Sequence, residues 1–169
     1  MTEKDFVGKI LIEEDFRGEN LRNADFSGAN LAKANFEGAD VSEANFKGAN
    51  LIEANFSRVK AIKAIFSGAN LAEANLSGAI FAAAEFKGAT LSRANLAGAN
   101  LRQANLTGAD IENANLAGAN LEHACLKNAN LSEANLAGAN IEEADFKSAN
   151  LSGTKLAGTN LKDARGIER

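Results

Sequence analysis

The chain of 169 residues has no proline, tryptophan or tyrosine, and only one cysteine, one histidine and one methionine. A lone Cys125 excludes an internal disulfide framework and fits a reducing compartment. No stretch approaches the roughly 20 consecutive apolar residues of a membrane span. The leading Met-Thr-Glu-Lys-Asp-Phe lacks the basic segment and apolar run of a secretory leader, so a cytoplasmic location is expected and no membrane partner. Charge of one sign is also missing. Eighteen Lys and Arg against 22 Asp and Glu give a net of −4, which favours solubility but gives no reason for direct nucleic-acid binding. The one aromatic type present, Phe in ten copies, has no polar handle, which argues against a conventional ligand pocket.

What is present is a few residue types used many times. Every fifth residue from Phe6 to Leu161 gives 32 positions, and these hold all ten Phe, all 18 Leu, Val41, Ile111, Ile141 and a single small residue, Ala61. Two residues before each centre stands Ala, from Ala24 to Ala149, with Val59 the exception. One residue before, Asn or Asp fills 24 of the 33 positions from Asp5 to Arg165, and no insertion disturbs the register.

An α-helix cannot use this pattern, because five residues turn roughly 500° and the apolar pairs would smear around its surface. A straight strand fails as well, since its period is two and each centre would change face. Every pentad therefore needs a corner that points Ala and the large centre inward. Thirteen glycines lie two residues after a centre on a ten-residue spacing, Gly8 to Gly158, with Arg58, Asn128 and Ser148 as substitutes. Glycine tolerates positive φ, so corners are expected to alternate in type. Among the Gly-containing pentads, Lys87, Thr107, Lys127 and Lys147 interleave with Ala97, Ala117, Ala137 and Ala157. This twenty-residue period makes four pentads per coil and eight coils.

Tandem units such as Ala29-Asn30-Leu31, Ala49-Asn50-Leu51 and Ala119-Asn120-Leu121 resemble the pentapeptide repeat family, A-(N/D)-L-X-X, over nearly the whole chain. The resemblance implies an all-β fold, a right-handed quadrilateral parallel β-helix, as one domain over residues 1–169. It also implies a bacterial, often cyanobacterial, setting. At a strand spacing of about 4.8 Å, eight coils make a rod of roughly 35–40 Å. Phe6, Phe26, Phe46, Phe66 and Phe86 then form one interior column, with Phe16, Phe36 and Phe56 opposite. Ala61 is expected to be compensated in volume by Phe81 above it. Outward Asn columns can ladder along the axis. In the first coil, residues 1–20, the inward small positions are Lys4, Lys9, Glu14 and Glu19, which reads as a polar cap. Beyond Leu161 only a short tail, 162–169, remains, and a homodimer through the C-terminal coil is expected.

Chemistry is sparse. His123 and Cys125 stand two apart at one corner with Glu143 and Asp145 one coil above, and they read as drift at outward positions. A packed square rod offers no water-excluding pocket, so no catalytic residue, metal or cofactor is expected. The one anomaly spans 58–65 and, one coil on, 80–85. Asn or Asp is lost there, and Lys60, Ile62, Lys63, Ile65 and Ile80 would form an exposed patch suited to a partner. A second candidate is the flat face of Ala97, Ala117, Ala137 and Ala157 with their glycines, and Lys47, Lys87, Lys127 and Lys147 run along the far side. The reading is a non-enzymatic rigid scaffold for an unknown protein partner. The alternative implied by the family is a DNA-mimicking inhibitor or protector of a type II topoisomerase such as DNA gyrase. Against it, the outward column Glu13, Lys33, Glu53, Glu73, Arg93, Asn113, Glu133 is interrupted by two cations.

Overall fold

The computed structural model describes residues 4–167 and holds no α-helix among them. Parallel bridges join residues twenty apart without a break in register, from Asp5 with Asp25 to Asp145 with Arg165, a span of eight coils. The rod is a right-handed quadrilateral β-helix. Its sides are named here by their first outward residue, Asp5, Ile10, Asp15 and Asn20, and its corners lie at 7–8, 12–13, 17–18 and 22–23.

In a pentad that carries Asn or Asp and has a coil on either side, all five N–H groups find an acceptor, which explains the repeat residue by residue. The large centre and the second corner residue donate to the coil above, as in Phe26 N to Asn45 O at 2.7 Å and Gly28 N to Lys47 O at 2.9 Å. The Asn or Asp donates to the coil below, as in Asn45 N to Ala24 O at 2.9 Å, and the inward Ala closes the turn, Ala29 N to Phe26 O at 3.0 Å. The remaining N–H, on the first corner residue, goes to a side chain. Each of the 24 Asn or Asp accepts it through Oδ1 from two residues on. This is the Asx-type bond that short acidic and amide side chains make to nearby backbone. At Asp145 the bond from Lys147 N, 3.0 Å, is the main reason the carboxyl ionises below its ordinary value. With every N–H of the regular pentad engaged, proline has no position to occupy there.

The corners do not alternate in type. Positive φ recurs at the second corner residue on all four corners, with Gly98 at 65°, Gln103 at 59° and Gly108 at 64° in succession. Seventeen non-glycine residues adopt it. Glycine marks where the chain avoids left-handed strain, not where the turn changes. A Cβ on Gly98 would meet nothing within 4 Å, so space does not demand glycine there. Gly98→Ala is nevertheless expected to lower the unfolding free energy by about 1 kcal/mol through the backbone alone. Gln103→Gly raises it by less, because greater entropy of the unfolded chain offsets the relief. Urea titration of both variants checks this.

Inside, Phe6, Phe26, Phe46, Phe66 and Phe86 stack face to face with centroids 4.5–4.9 Å apart. The Phe16, Phe36, Phe56 column meets them edge-on at 5.6–5.9 Å. Where Leu76 ends that second column, Phe81, one coil above Ala61, takes over the edge-on role against Phe66 at 5.8 Å and Phe86 at 5.2 Å. Ala61 is itself fully buried.

The two ends differ. Lys4 Nζ donates to the edge carbonyl of Asn20 at 2.6 Å and lies 3.7 Å from Glu19, while Lys9 donates to Asp5 O at 2.7 Å and sits over the Phe6 ring. At the other end Thr154 and Thr159 turn their hydroxyls onto the carbonyls of Leu131 and Leu136, both 2.8 Å. Arg165 pairs with Asp145, and Gly166, at φ 78°, lies so close to the backbone that a Cβ would stand 2.5 Å from Lys147 N. Ile167 packs against the core beside Leu161 and Ala164.

Candidate interaction surface

On the Asp15 side the amides also ladder, each Nδ2 donating to the Oδ1 one coil below, unbroken from Asn135 to Asn35. The Asn20 and Asp5 sides lack this continuity. Their columns are interrupted by Lys60 and Ile80 on one and by Ile65 and Glu85 on the other, residues that the bridges stack directly, Lys60 on Ile80 and Ile65 on Glu85. The corner between them carries Ile62 and Lys63 below Ala82 and Ala83. The five residues expected to form a patch therefore occupy one corner and its two flanks.

Isoleucine and lysine offer no Oδ1, so the N–H groups of Ile62, Ser67 and Ala82 lose the acceptor their counterparts have. Ile65 is 38% and Ile80 40% exposed. Lys60 lies 3.8 Å from Asp40, whose carboxylate also takes Arg22 at 3.4 Å. Glu43 holds the other arm of Arg22 at 2.9 Å, and Glu85 accepts from Asn105 Nδ2 at 2.9 Å. Among the described residues Lys63 pairs with no carboxylate, nor do Lys47 and Lys87, which flank Ser67 one coil below and above. Lysines read from the sequence as a separate stripe thus border the aliphatic centre.

Restoring the repeat with Ile65→Asn and Ile80→Asn is expected to raise the unfolding free energy by about 1 kcal/mol for the pair, since regained amide bonds outweigh two half-exposed isoleucines. Guanidinium denaturation measures it. A surface that gives up local stability without a packing gain is where function is sought.

The Ala97, Ala117, Ala137 and Ala157 corner is flat, with glycine beside each alanine and amide columns on both flanks. His123 bridges Glu122 and Glu143, each at 3.3 Å, and Cys125 Sγ lies 3.3 Å from Thr107 Oγ1. Among the described residues no group of three or more His, Cys, Asp or Glu is placed to hold a metal ion. A shallow polar cleft of about 170 Å³ lies beside the Glu73–Arg93 ion pair at the 12–13 corner. Two features had escaped the sequence reading. Val7, Ile10 and Ile12 are exposed together on the first coil, at 52, 78 and 49%. The Ser42 hydroxyl is buried without a partner, one coil below Ile62.

The family model for pentapeptide repeats matches in eight copies, over residues 15–48, 39–78, 49–87, 84–122 and 124–163. The chain belongs to the pentapeptide repeat family. Among solved structures of pentapeptide repeat proteins it is similar to HetL, involved in heterocyst differentiation regulation in the cyanobacterium Nostoc sp. strain PCC 7120. Identity is 26% over 99% of this chain and 94% of that one, with a TM-score of 0.39. A pentapeptide repeat protein of the Arabidopsis thaliana thylakoid lumen shares 25% identity over 94% of this chain and 72% of that one, TM-score 0.32. Full-length QnrB1, a plasmid-mediated fluoroquinolone resistance protein, shares 20% over 92% and 90%, TM-score 0.45. A comparison with curated proteins gives no match. Among the described residues no helix is long and apolar enough to cross a membrane.

Proposed function

We propose that this pentapeptide repeat protein is a non-enzymatic scaffold, a rigid rod that binds a protein along its side or end. The reading is carried by the contrast between a repeat that caps its corners with 24 Asn and Asp and the irregular corner where exposed Ile65 and Ile80, with Lys60 and Glu85, replace them in successive coils. Lys60, Ile62, Lys63, Ile65 and Ile80 are the first candidate surface, and the flat corner of Ala97, Ala117, Ala137 and Ala157 is the second. A cytoplasmic location belongs to the same reading, in keeping with the free Cys125. The test is a pull-down from the native cell. Wild-type rod is expected to retain a specific protein that the Ile62→Ser, Ile65→Asn, Ile80→Asn variant loses. Retention of the same protein by that variant but not by Ala117→Arg, Ala137→Arg moves the site to the flat corner.

The DNA-mimic alternative needs a continuously acidic surface, whereas Lys33 lies 3.8 Å from Glu53 and Arg93 3.4 Å from Glu73 along the 12–13 corner. Inhibition of gyrase supercoiling by micromolar rod, or protection from a quinolone, would restore it. At the ends, the Lys4 and Lys9 contacts to edge carbonyls support a capping role for the first coil. The half-buried Leu151, Leu156 and Leu161 support a homodimer through the C-terminal coil, which Leu156→Asp should abolish in light scattering.

A further inference from the structure

The five exposed large hydrophobic side chains of the described rod fall into two groups. Ile65 and Ile80 lie in the basic-rimmed corner already described. Val7, Ile10 and Ile12 lie on the first coil, where the chain from 5 to 15 carries Asp5, Glu13, Glu14 and Asp15 against the single Lys9. Lys9 is turned away, onto the Asp5 carbonyl and the Phe6 ring. Asp15 is held by Arg17 at 2.7 Å, while the outward Asp5 and Glu13 pair with no cation among the described residues. One aliphatic cluster is thus rimmed by carboxylates that meet no cation, and the other by the unpaired Lys47, Lys63 and Lys87, with Glu85, held by Asn105, the one carboxylate beside Ile65. The apolar centres match in kind and the rims are opposite in sign, the pattern that fixes orientation in protein contacts.

We propose that the occupant of the irregular corner is the first coil of a second copy of this chain. This deepens the scaffold reading and rests on it. Ile10 takes an Asn position as Ile65 and Ile80 do, so both surfaces are made by the same departure from the repeat.

The geometry also fixes the kind of assembly. The Val7, Ile10, Ile12 cluster centres on the Ile10 side, whereas the irregular corner lies between the Asn20 and Asp5 sides, so the two centres face different directions although Lys47 and Lys87 share the 7–8 corner with Val7. A two-fold dimer needs both patches on one face, so this contact is heterologous and does not close. Rods would join side by side, each stepped along the axis by two to three coils, or roughly 10–15 Å at about 4.8 Å per coil.

Sedimentation velocity and light scattering test this with Ile10→Asn and Ile65→Asn, Ile80→Asn, both of which restore the repeat and keep the fold. The wild-type mass should rise with concentration beyond a dimer and fall back in high salt. In a Leu156→Asp background, which takes out the C-terminal dimer, each variant alone should stay monomeric. An equimolar mixture should stop at a one-to-one dimer, since each partner then carries one working surface. A wild-type monomer at millimolar concentration overturns the proposal, as does association that persists in both variants. A closed dimer lost only in Leu156→Asp does the same, assigning self-association to the C-terminal coil. If the pull-down retains a foreign protein while the rod stays monomeric, the scaffold reading stands and this assignment falls.

Discussion

Phe46→Ala is expected to lower the unfolding free energy by about 3–5 kcal/mol, among the largest losses from a single side-chain truncation in the rod. Phe46 is fully buried, stacked between Phe26 and Phe66 at 4.9 Å on each face. Its edges meet Phe36 at 5.7 Å and Phe56 at 5.6 Å. Truncation removes all four contacts, each aromatic pair being worth about 0.5–1.5 kcal/mol beyond its buried area. The hole cannot collapse, because the backbone around it is bonded to the coils above and below. Phe6→Ala, at a half-buried end with one stacking neighbour, should lose less than half as much. Guanidinium unfolding of the two variants gives the comparison. Equal losses would mean that the column does not act as a stack.

Asn115→Pro tests the wall instead of the filling, with an expected loss of 3 kcal/mol or more, roughly the penalty for proline inside a hydrogen-bonded element. Asn115 N donates to Ala94 O at 2.9 Å, its Nδ2 donates to Asn95, and its Oδ1 accepts from Ala117 N and from Asn135 Nδ2. Proline removes every one of these and blocks close approach of the coil below. Asn115→Ala keeps the backbone bond and should cost about 1–2 kcal/mol. Because each coil touches only its neighbours, the proline variant should also lose cooperativity, with the Leu-rich coils above residue 115 melting before the Phe-rich coils below it. A single transition with unchanged slope in urea would count against this.

The coil, its register and its core were legible because the pattern is a strict period of five inside a period of twenty, and a four-cornered coil places Phe6 and Phe26 in one column and Phe16 in another. The corner geometry was misread for a physical reason. Residues at positive φ such as Glu53 and Gln103 accept their strain because the ladder on either side leaves no alternative. Glycine therefore reported preference, whereas the turn itself left no mark at the non-glycine corners. Of the surface, Ile65 and Ile80 were visible as breaks in an Asn column, and Ile10 breaks its own column by the same rule. Ser42 carried no signal, since its burial arises from the stacking of coils and not from its neighbours in sequence. Likewise, nothing local ties Lys47 and Lys87 to Ile65. Only the stacking of coils brings them to its border.

The unbroken register turns residue number into compass bearing. Five residues are a quarter turn and twenty a full one, so the chain between Ile12 and Lys60 sets the direction in which each surface faces as well as their distance apart. Duplicating a whole coil there would lengthen the rod and leave both bearings as they are. Duplicating one pentad would swing the upper surface through ninety degrees, and a ribbon of rods would become a staircase.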